Sequence, residues 1–489
     1  MYNPKPLRLQ ILRHITLFSL GTLLKGIGQF INQYVAAFLL GPAIFGMWQG
    51  VRIVLGYGAN AGLGAIEGMQ REVPLLHGKG EGETAKTITG ISFFFNFAVS
   101  FILAALLMAA TFFIAASQET LLALRFASVL LVLQSFKIFY ETLLKANKEF
   151  GILSIAAVID GMGFLISAVL IFYFSFLGFL GGFTATMFIS TAYAAWKSKY
   201  FAMQWDRKIL LRLISIGFPI MLIGFSGIGF QTIDRLLILG FLGPVSLGIY
   251  SLGALVFMPF TFVLYTANSV MFPHFSERFG EMGTDGSLKN MLMIPLHNLS
   301  LVTPVAIGAI AVILPTVVSV FLPAYKEGVG AATIFLFGSF FVSTVGMVAN
   351  FFIATNRQMI YLFILIVSMV FNAVASFILL SLGYGIIGAA IGAASSYIVF
   401  FVTMITLSFR YFHIPSRELA GWLGGFLFPV AYTITASLLV LWLIKTEGSS
   451  EEEAVRNMFM REGLFFLLNS YFIYKAAKTI QTLFRKSSL

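Results

Sequence analysis

The sequence predicts an all-α polytopic membrane protein with about fourteen transmembrane helices, arranged as two pseudo-repeated six-helix lobes plus two C-terminal helices. Three observations predict it. Of 489 residues, 59% are hydrophobic and only 10% charged, where a soluble domain carries roughly 25% charged residues; the mean hydropathy is +0.93. Apolar runs long enough to span hydrocarbon, which takes about 20 residues per helix, follow one another with short links. One stretch of sequence also recurs 202 residues later.

The first run, 15–40, follows Lys5, Arg8 and Arg13 and so has the outline of a secretion signal. It is too long, contains Lys25, lacks a small-residue cleavage site and precedes further apolar runs, so it reads as a retained helix. The second, 43–66, begins just beyond Gly41-Pro42, a pair that cannot continue a helix. The third and fourth cover 88–116 and 120–145, and the fifth and sixth, 152–174 and 177–196, stand almost end to end. The seventh and eighth, 209–240 and 246–271, flank Gly243-Pro244. The ninth to twelfth are 291–322, 329–354, 358–381 and 385–409, the last two joined by Leu382-Gly383-Tyr384. The thirteenth and fourteenth are 421–444 and 459–483. The expected organisation is an N-lobe at 1–200 with helices 1–6, a C-lobe at 201–410 with helices 7–12, and helices 13–14 at 411–489.

Lys and Arg set the orientation, because cytoplasmic loops carry the positive excess. With a cytoplasmic N-terminus, 22 of the 31 basic residues fall on the cytoplasmic side, four outside and five within helices. Both termini are therefore expected to be cytoplasmic. The net charge of +11 reflects that bias and gives no indication of nucleic acid as a partner. With no Cys, disulfides, thiolate metal sites and cysteine nucleophiles are excluded. The five histidines lie far apart, which speaks against zinc. There is no Walker A sequence, GxSxG elbow or HExxH, and no loop exceeds about 20 residues, so an enzyme is not expected.

The repeat pairs residues 38–48, through Leu40-Gly41-Pro42 and Gly46, with 240–250, through Leu242-Gly243-Pro244 and Gly248. It aligns helix 1 with helix 7 and Gln29 with Gln231, and Lys145-Ala146-Asn147-Lys148 resembles Ala354-Thr355-Asn356-Arg357 further on. An even number of helices separates the copies, so the halves run the same way through the membrane, a pattern found in transporters with a central site.

Polar residues inside apolar runs face a cavity or a partner. Helix 1 carries Thr22, Lys25, Gln29, Asn32 and Gln33 on one face, helix 2 carries Gln49, Arg52, Asn60 and Glu67, and helix 7 carries Gln231, Asp234 and Arg235. Two readings compete: structural bonding between helices, or a hydrated cationic cavity. In a cavity, Lys25, Arg52 and Arg235 would bind phosphate, pyrophosphate or acidic sugars, while Gln29, Asn32 and Gln231 suit sugar hydroxyls. A lipid-linked anionic glycan fits that combination better than a hydrophobic drug. Lys137 and Glu141, four apart on helix 4, read as a structural pair, and Arg125 as a snorkelling end residue. Asp160 is either a cation or proton site or a helix contact. Asp234 either holds Arg235 or a cation or caps a neighbouring helix, and Glu67 reads as a partner of Arg71 at the interface.

Leu39-Leu40-Gly41-Pro42 followed by Phe45-Gly46-Met47-Trp48, and Arg71-Glu72-Val73-Pro74 before a Gly/Lys/Glu-rich loop, resemble the opening of Wzx-type polysaccharide flippases. Asp234-Arg235-Leu236-Leu237-Ile238, Leu242-Gly243 and Gly248-Ile249-Tyr250-Ser251 resemble the second-half signature of the same group. The wider group is the multidrug, oligosaccharidyl-lipid and polysaccharide (MOP) exporter superfamily, and the likeness runs over nearly the whole chain. The resemblance implies a MATE-like fold of two six-helix lobes and alternating access. It implies transport of a polyprenyl-pyrophosphate-linked oligosaccharide from the inner to the outer leaflet of a cell (inner or plasma) membrane, for cell-surface polysaccharide biosynthesis. By position Lys25 matches a pyrophosphate-binding base of related lipid II flippases, with Arg52 and Arg235 completing the cluster. No cofactor is implied beyond a coupling ion, H+ or Na+, for which Asp234, Asp160 and Glu67 are the candidates. The lipid bilayer and glycan polymerase or assembly proteins are the implied partners. The competing readings are a lipid II flippase, a cation-coupled multidrug exporter, and a non-transporting scaffold for a polymerase complex.

Overall fold

A computed structural model describes residues 4–198, 205–282, 286–355, 357–444, 451–475 and 477–478. The side chains of Lys5, Arg8, Arg13 and Lys445, residue Asn356, and the end of the fourteenth apolar run lie outside the described residues. Every described element is helical: α1 (Pro4–Ala59), α2 (Ala65–Lys79), α3 (Gly82–Ala110), α4 (Gln118–Ala146), α5 (Phe150–Lys197), α6 (Arg207–Met282), α7 (Gly286–Phe321), a 3-10 turn (Pro323–Gly328), α8 (Val329–Ala354), α9 (Gln358–Ser381), α10 (Gly385–Tyr411), α11 (Ser416–Leu443) and α12 (Glu451–Leu468).

Ten of these helices are long and apolar enough to cross a membrane. Three of the ten contain one non-helical residue: Gly41 in α1 (φ 72°, ψ 173°), Ser175 in α5 (φ 50°, ψ −130°) and Gly243 in α6 (φ 82°, ψ −179°). Each is a reversal rather than a kink. Gln49 Nε2 donates to Gln33 Oε1, sixteen residues earlier, at 3.4 Å. The Tyr250 hydroxyl donates to the Asp234 carboxylate, also sixteen residues earlier, and Gly182 lies against Ser167. A straight helix would separate residues sixteen apart by about 24 Å. The described residues therefore make thirteen apolar crossings, and the predicted boundaries between runs 1 and 2, 5 and 6, and 7 and 8 fall at the reversals.

Local chemistry explains two of them. Gly41 and Gly243 sit in a backbone region that is essentially reserved for glycine. Each precedes a proline, which disfavours helix at the residue before it and suits the first turn of the helix after it.

Two boundaries differ from expectation. The second run does not continue to residue 66: α1 ends at Ala59, and Leu63 (φ 50°) and Gly64 (φ 87°) turn the chain into a separate helix, α2. α2 buries Ala65, Met69, Glu72, Val73 and Leu76 at helical spacing, and Arg212 Nη2 reaches Glu72 Oε2 at 2.8 Å. An amphipathic stripe beside a charged face reads in sequence as a loop, because neither is apolar enough for a span. At the other end, Glu451-Glu452-Glu453 lies in α12 (Glu451–Leu468) and is helical, where the gap between the thirteenth and fourteenth runs reads as a loop.

The chain forms two compact units, Met1–Thr232 with Gly243–Gly248, and Ile233–Leu242 with Ile249–Leu489. In the first, α2, α3 and α4 close over Met69, Ile91, Phe139, Leu143 and Leu213. In the second, α8 packs against α7, α9 and α10, and α11 and α12 pack on α7 around Leu301, Val312, Val440 and Phe465. Large apolar side chains such as Phe172, Phe363 and Trp442 remain exposed, as expected where lipid is the solvent. In lipid, association relies on close packing rather than on the hydrophobic effect, so small residues mark the helix crossings.

Candidate functional site

One such crossing builds a buried charged cluster in the first unit. A Cβ on Gly28 would stand 2.3 Å from Gly161 O, and one on Gly161 would stand 2.8 Å from Leu24 O. Only glycine lets α1 and α5 approach this closely. The contact delivers Lys25 of α1 to Asp160 of α5, with Nζ–Oδ2 at 3.1 Å, while the same ammonium lies 3.4 Å from Glu141 Oε1 of α4. Lys137 of α4 also bonds Asp160 and donates to Ser190 Oγ at 2.9 Å. Asp160 is 1% exposed, and Lys137, Lys25 and Glu141 are 12%, 27% and 31% exposed.

The expected Lys137–Glu141 pair along α4 is thus exchanged for three pairs across helices. Asp160 bridges both ammoniums, and Glu141 turns to Lys25. The physical reason is burial: Asp160 has no water to solvate it, and an ionised carboxylate in that position needs cations from neighbouring helices. Two bases and two acids make the cluster charge-balanced.

A second polar chain hangs on the Gly41 reversal. Arg52 Nη1 donates to Gln49 Oε1 at 3.4 Å, and Gln49 in turn donates to Gln33. Asn32 Nδ2 donates to Phe164 O at 3.2 Å. Asn32 Oδ1, Gln33 Nε2 and Trp48 Nε1 are buried without a hydrogen-bond partner among the described residues. Trp48 itself is held edge-on by Phe179 and Phe183, at 4.9 and 5.2 Å between ring centroids. Gln29 is half-buried and Gln231 exposed. The contacts given above take Lys25 to Asp160 and Glu141 and Arg52 to Gln49.

Glu67 stands on α2, outside the spans, and makes no ion pair with Arg71 among the described residues. Burial pushes its carboxyl above the usual carboxylate range, against the opposing pull of a backbone hydrogen bond.

In the second unit, Asp234 is fully buried and accepts from Tyr250 across the Gly243 reversal. Its Oδ1 has no hydrogen-bond partner among the described residues. Arg235, the next residue, lies over the Phe335 ring at 5.9 Å. Tyr250 and Tyr397 flank the same ring at 6.2 and 6.4 Å.

Sequence reasoning missed Ser190, Tyr250 and Tyr397 as partners. Each is a hydroxyl in an apolar run, Ser190 beside Thr191, Tyr250 beside Ser251 and Tyr397 beside Ser396, and helical periodicity does not say which helices meet. Among the described residues no three His, Cys, Asp or Glu gather as a metal site.

The comparisons add identity to this geometry. Three solved structures share the fold. The lipid II flippase MurJ in an inward closed conformation superposes with a TM-score of 0.71 at 13% identity, covering 94% of this chain and 99% of that one. The inward-facing conformation of a multidrug resistance MATE family transporter of the MOP superfamily gives 0.63 at 16%, covering 79% and 95%. A MOP superfamily transporter from Pyrococcus furiosus, described as having a binding pocket of reverse polarity that suggests a different function, gives 0.57 at 16%, covering 82% and 96%. No curated protein matches the sequence. The resemblance to MOP exporters thus holds at the level of fold. The family described as "Polysaccharide biosynthesis protein" matches residues 81–330, just over half the chain, so this multi-pass membrane protein belongs to that polysaccharide biosynthesis family.

Proposed function

We propose that the protein is a flippase that carries a polyprenyl-pyrophosphate-linked oligosaccharide from the cytoplasmic to the outer leaflet by alternating access, for cell-surface polysaccharide biosynthesis. The observation that carries the reading is the family match across residues 81–330 in a chain made of membrane-crossing helices. Lys25, Arg52 and Arg235 are its proposed phosphate-binding bases, with Gln29, Asn32 and Gln231 for sugar hydroxyls. Asp160, Asp234 and Glu67 are its proposed carriers of a coupling H+ or Na+, and glycan polymerase or assembly proteins its proposed partners. The contact between Lys25 and Asp160 gives the coupling a physical form. Neutralising the carboxylate, by a proton or a cation, releases the ammonium for a pyrophosphate oxygen, and both termini face the cytoplasm throughout.

The test is mass spectrometry of polyprenyl-linked glycans in cells lacking the gene, with an impermeant sugar-modifying reagent reporting the leaflet. One lipid-linked oligosaccharide accumulating in a protected state is the expected result. No accumulation with unchanged surface glycan refutes the reading.

A second reading, a lipid II flippase, is favoured by one observation. The superposition on MurJ covers 94% of the chain, where those on the MATE family transporter and the Pyrococcus furiosus transporter cover 79% and 82%. A match that long takes in most of residues 411–489. Under this reading, depletion blocks peptidoglycan assembly and is lethal, whereas loss of an oligosaccharide flippase removes one surface glycan.

A further inference from the structure

At one end of α8, α9 and α10, the second unit holds a cavity of about 330 Å³, lined by none of the residues of the polar networks described above. Arg357, Arg410 and His413 line it, together with Tyr411, Phe352 and Ile360. The Arg357 guanidinium stacks on the Tyr411 ring, 4.3 Å from its centroid, which holds its planar fork in place. Among the described residues no carboxylate lines the cavity; the nearest acid in sequence to His413, Glu418, faces Lys289 at 4.0 Å. Among the described residues none of the three bases makes an ion pair.

The backbone reinforces the positive field. α9 starts at Gln358 with Arg357 as an N-cap that supplies no side-chain hydrogen bond, so a 24-residue helix aims its positive end at the cavity. The carbonyls ending α10 are satisfied internally: Phe412, His413 and Ile414 donate to Ser408, Arg410 and Phe409. His413 reaches this geometry with φ at 53°.

We infer that this cavity is a binding site for the phosphate headgroup of an anionic glycerophospholipid. Two planar guanidiniums and a helix N-terminus match a phosphodiester. The volume lies at the small end of the roughly 300–1,000 Å³ of ligand pockets, the size of a headgroup rather than of an oligosaccharide. The lipid source is favoured over free phosphate by what continues from the cavity. Met359, Phe363, Val367, Val370 and Val374 form an exposed apolar column down α9, between 48% and 69% exposed, along which an acyl chain lies. The positive-inside count puts residues 354–358 and 410–420 on the cytoplasmic face, where anionic lipids attract basic clusters.

The experiment is native mass spectrometry of the purified full-length protein titrated with phosphatidylglycerol or phosphatidylcholine. Wild type is expected to retain phosphatidylglycerol in preference. Arg357→Ala with Arg410→Ala is expected to lose that retention by about tenfold or more, and Lys326→Ala, a basic residue elsewhere, to keep it. Inorganic phosphate at millimolar concentration should not displace the lipid. Equal retention of the two lipids by wild type overturns the proposal without any variant. Unchanged retention in a folded double variant also overturns it, and displacement by phosphate reassigns the cavity to a soluble anion.

Discussion

Gly41 and Gly243, 202 residues apart, adopt the same rare backbone conformation, φ 72° with ψ 173° and φ 82° with ψ −179°. The sequence repeat is therefore a repeat of a specific strained turn. A Cβ at either position meets nothing within 4 Å, so substitution costs conformational strain alone. Gly41→Ala and Gly243→Ala should each destabilise by about 1–3 kcal/mol, read as lower melting temperatures in detergent. Unchanged melting in both would refute the strained-turn account.

Gly28 makes the opposite case, since its φ is ordinary and its surroundings are full. Gly28→Ala should push α1 off α5 and draw Lys25 from Asp160, costing about 1–3 kcal/mol through overpacking. Gly78→Ala, where a Cβ meets open space, is the control. Equal stability of the two variants would disprove the close crossing.

Removing Asp160 leaves Lys25 and Lys137 facing each other with Glu141 as the remaining acid. Asp160→Ala should destabilise by about 3–5 kcal/mol, as breaking buried ion pairs does. Lys137→Met in the same background should recover part of that loss. Additive losses in the double variant would mean that the two residues do not act as a pair.

Tyr250→Phe keeps the ring against Phe335 and removes the donor to Asp234. A buried acceptor left without its partner costs about 1–3 kcal/mol. Asp234→Asn with Tyr250→Phe should be milder than the tyrosine change alone, and calorimetry of the three variants decides.

Glu67 carries a pH dependence whose sign follows from its raised carboxyl pKa. The folded protein holds this proton to a higher pH than the unfolded chain, so the contribution is present at low pH and is lost as pH rises through the folded value. Glu67→Gln should abolish that loss and raise the melting temperature at neutral relative to acid pH. A variant whose pH profile matches wild type would place the effect elsewhere.

The crossings were legible because apolar runs of spanning length need no tertiary information, and Gly41-Pro42 marked its turn by residue chemistry. Ser175 carries neither glycine nor proline, yet the gap between runs at 174 and 177 located it, because the apolar patterns on either side are complete. α2 was not legible: its buried stripe includes Glu72 and is interleaved with Glu67, Arg71 and His77, a composition that resembles a loop. Lys25, Asp160, Arg52, Arg235 and Asp234 stood out as polar residues in lipid-length runs. Their pairings did not, because i,i+4 spacing suggested Lys137–Glu141 while burial of Asp160 and the Gly28–Gly161 contact decided otherwise. Neighbours along one helix are visible in sequence; neighbours across helices depend on which backbones can touch.

The one-residue reversals at Gly41, Ser175 and Gly243 also bear on how the chain enters a membrane. Each joins two apolar helices with no hydrophilic loop between them, so almost nothing polar has to be carried across the bilayer at these points. The pairs can leave the translocation machinery as preformed hairpins, each inserting in one step with its bonded arms already in register. These turns then offer no room for a tag, a glycan or a protease, and a charged insertion at any of them would strand the following arm on the wrong side.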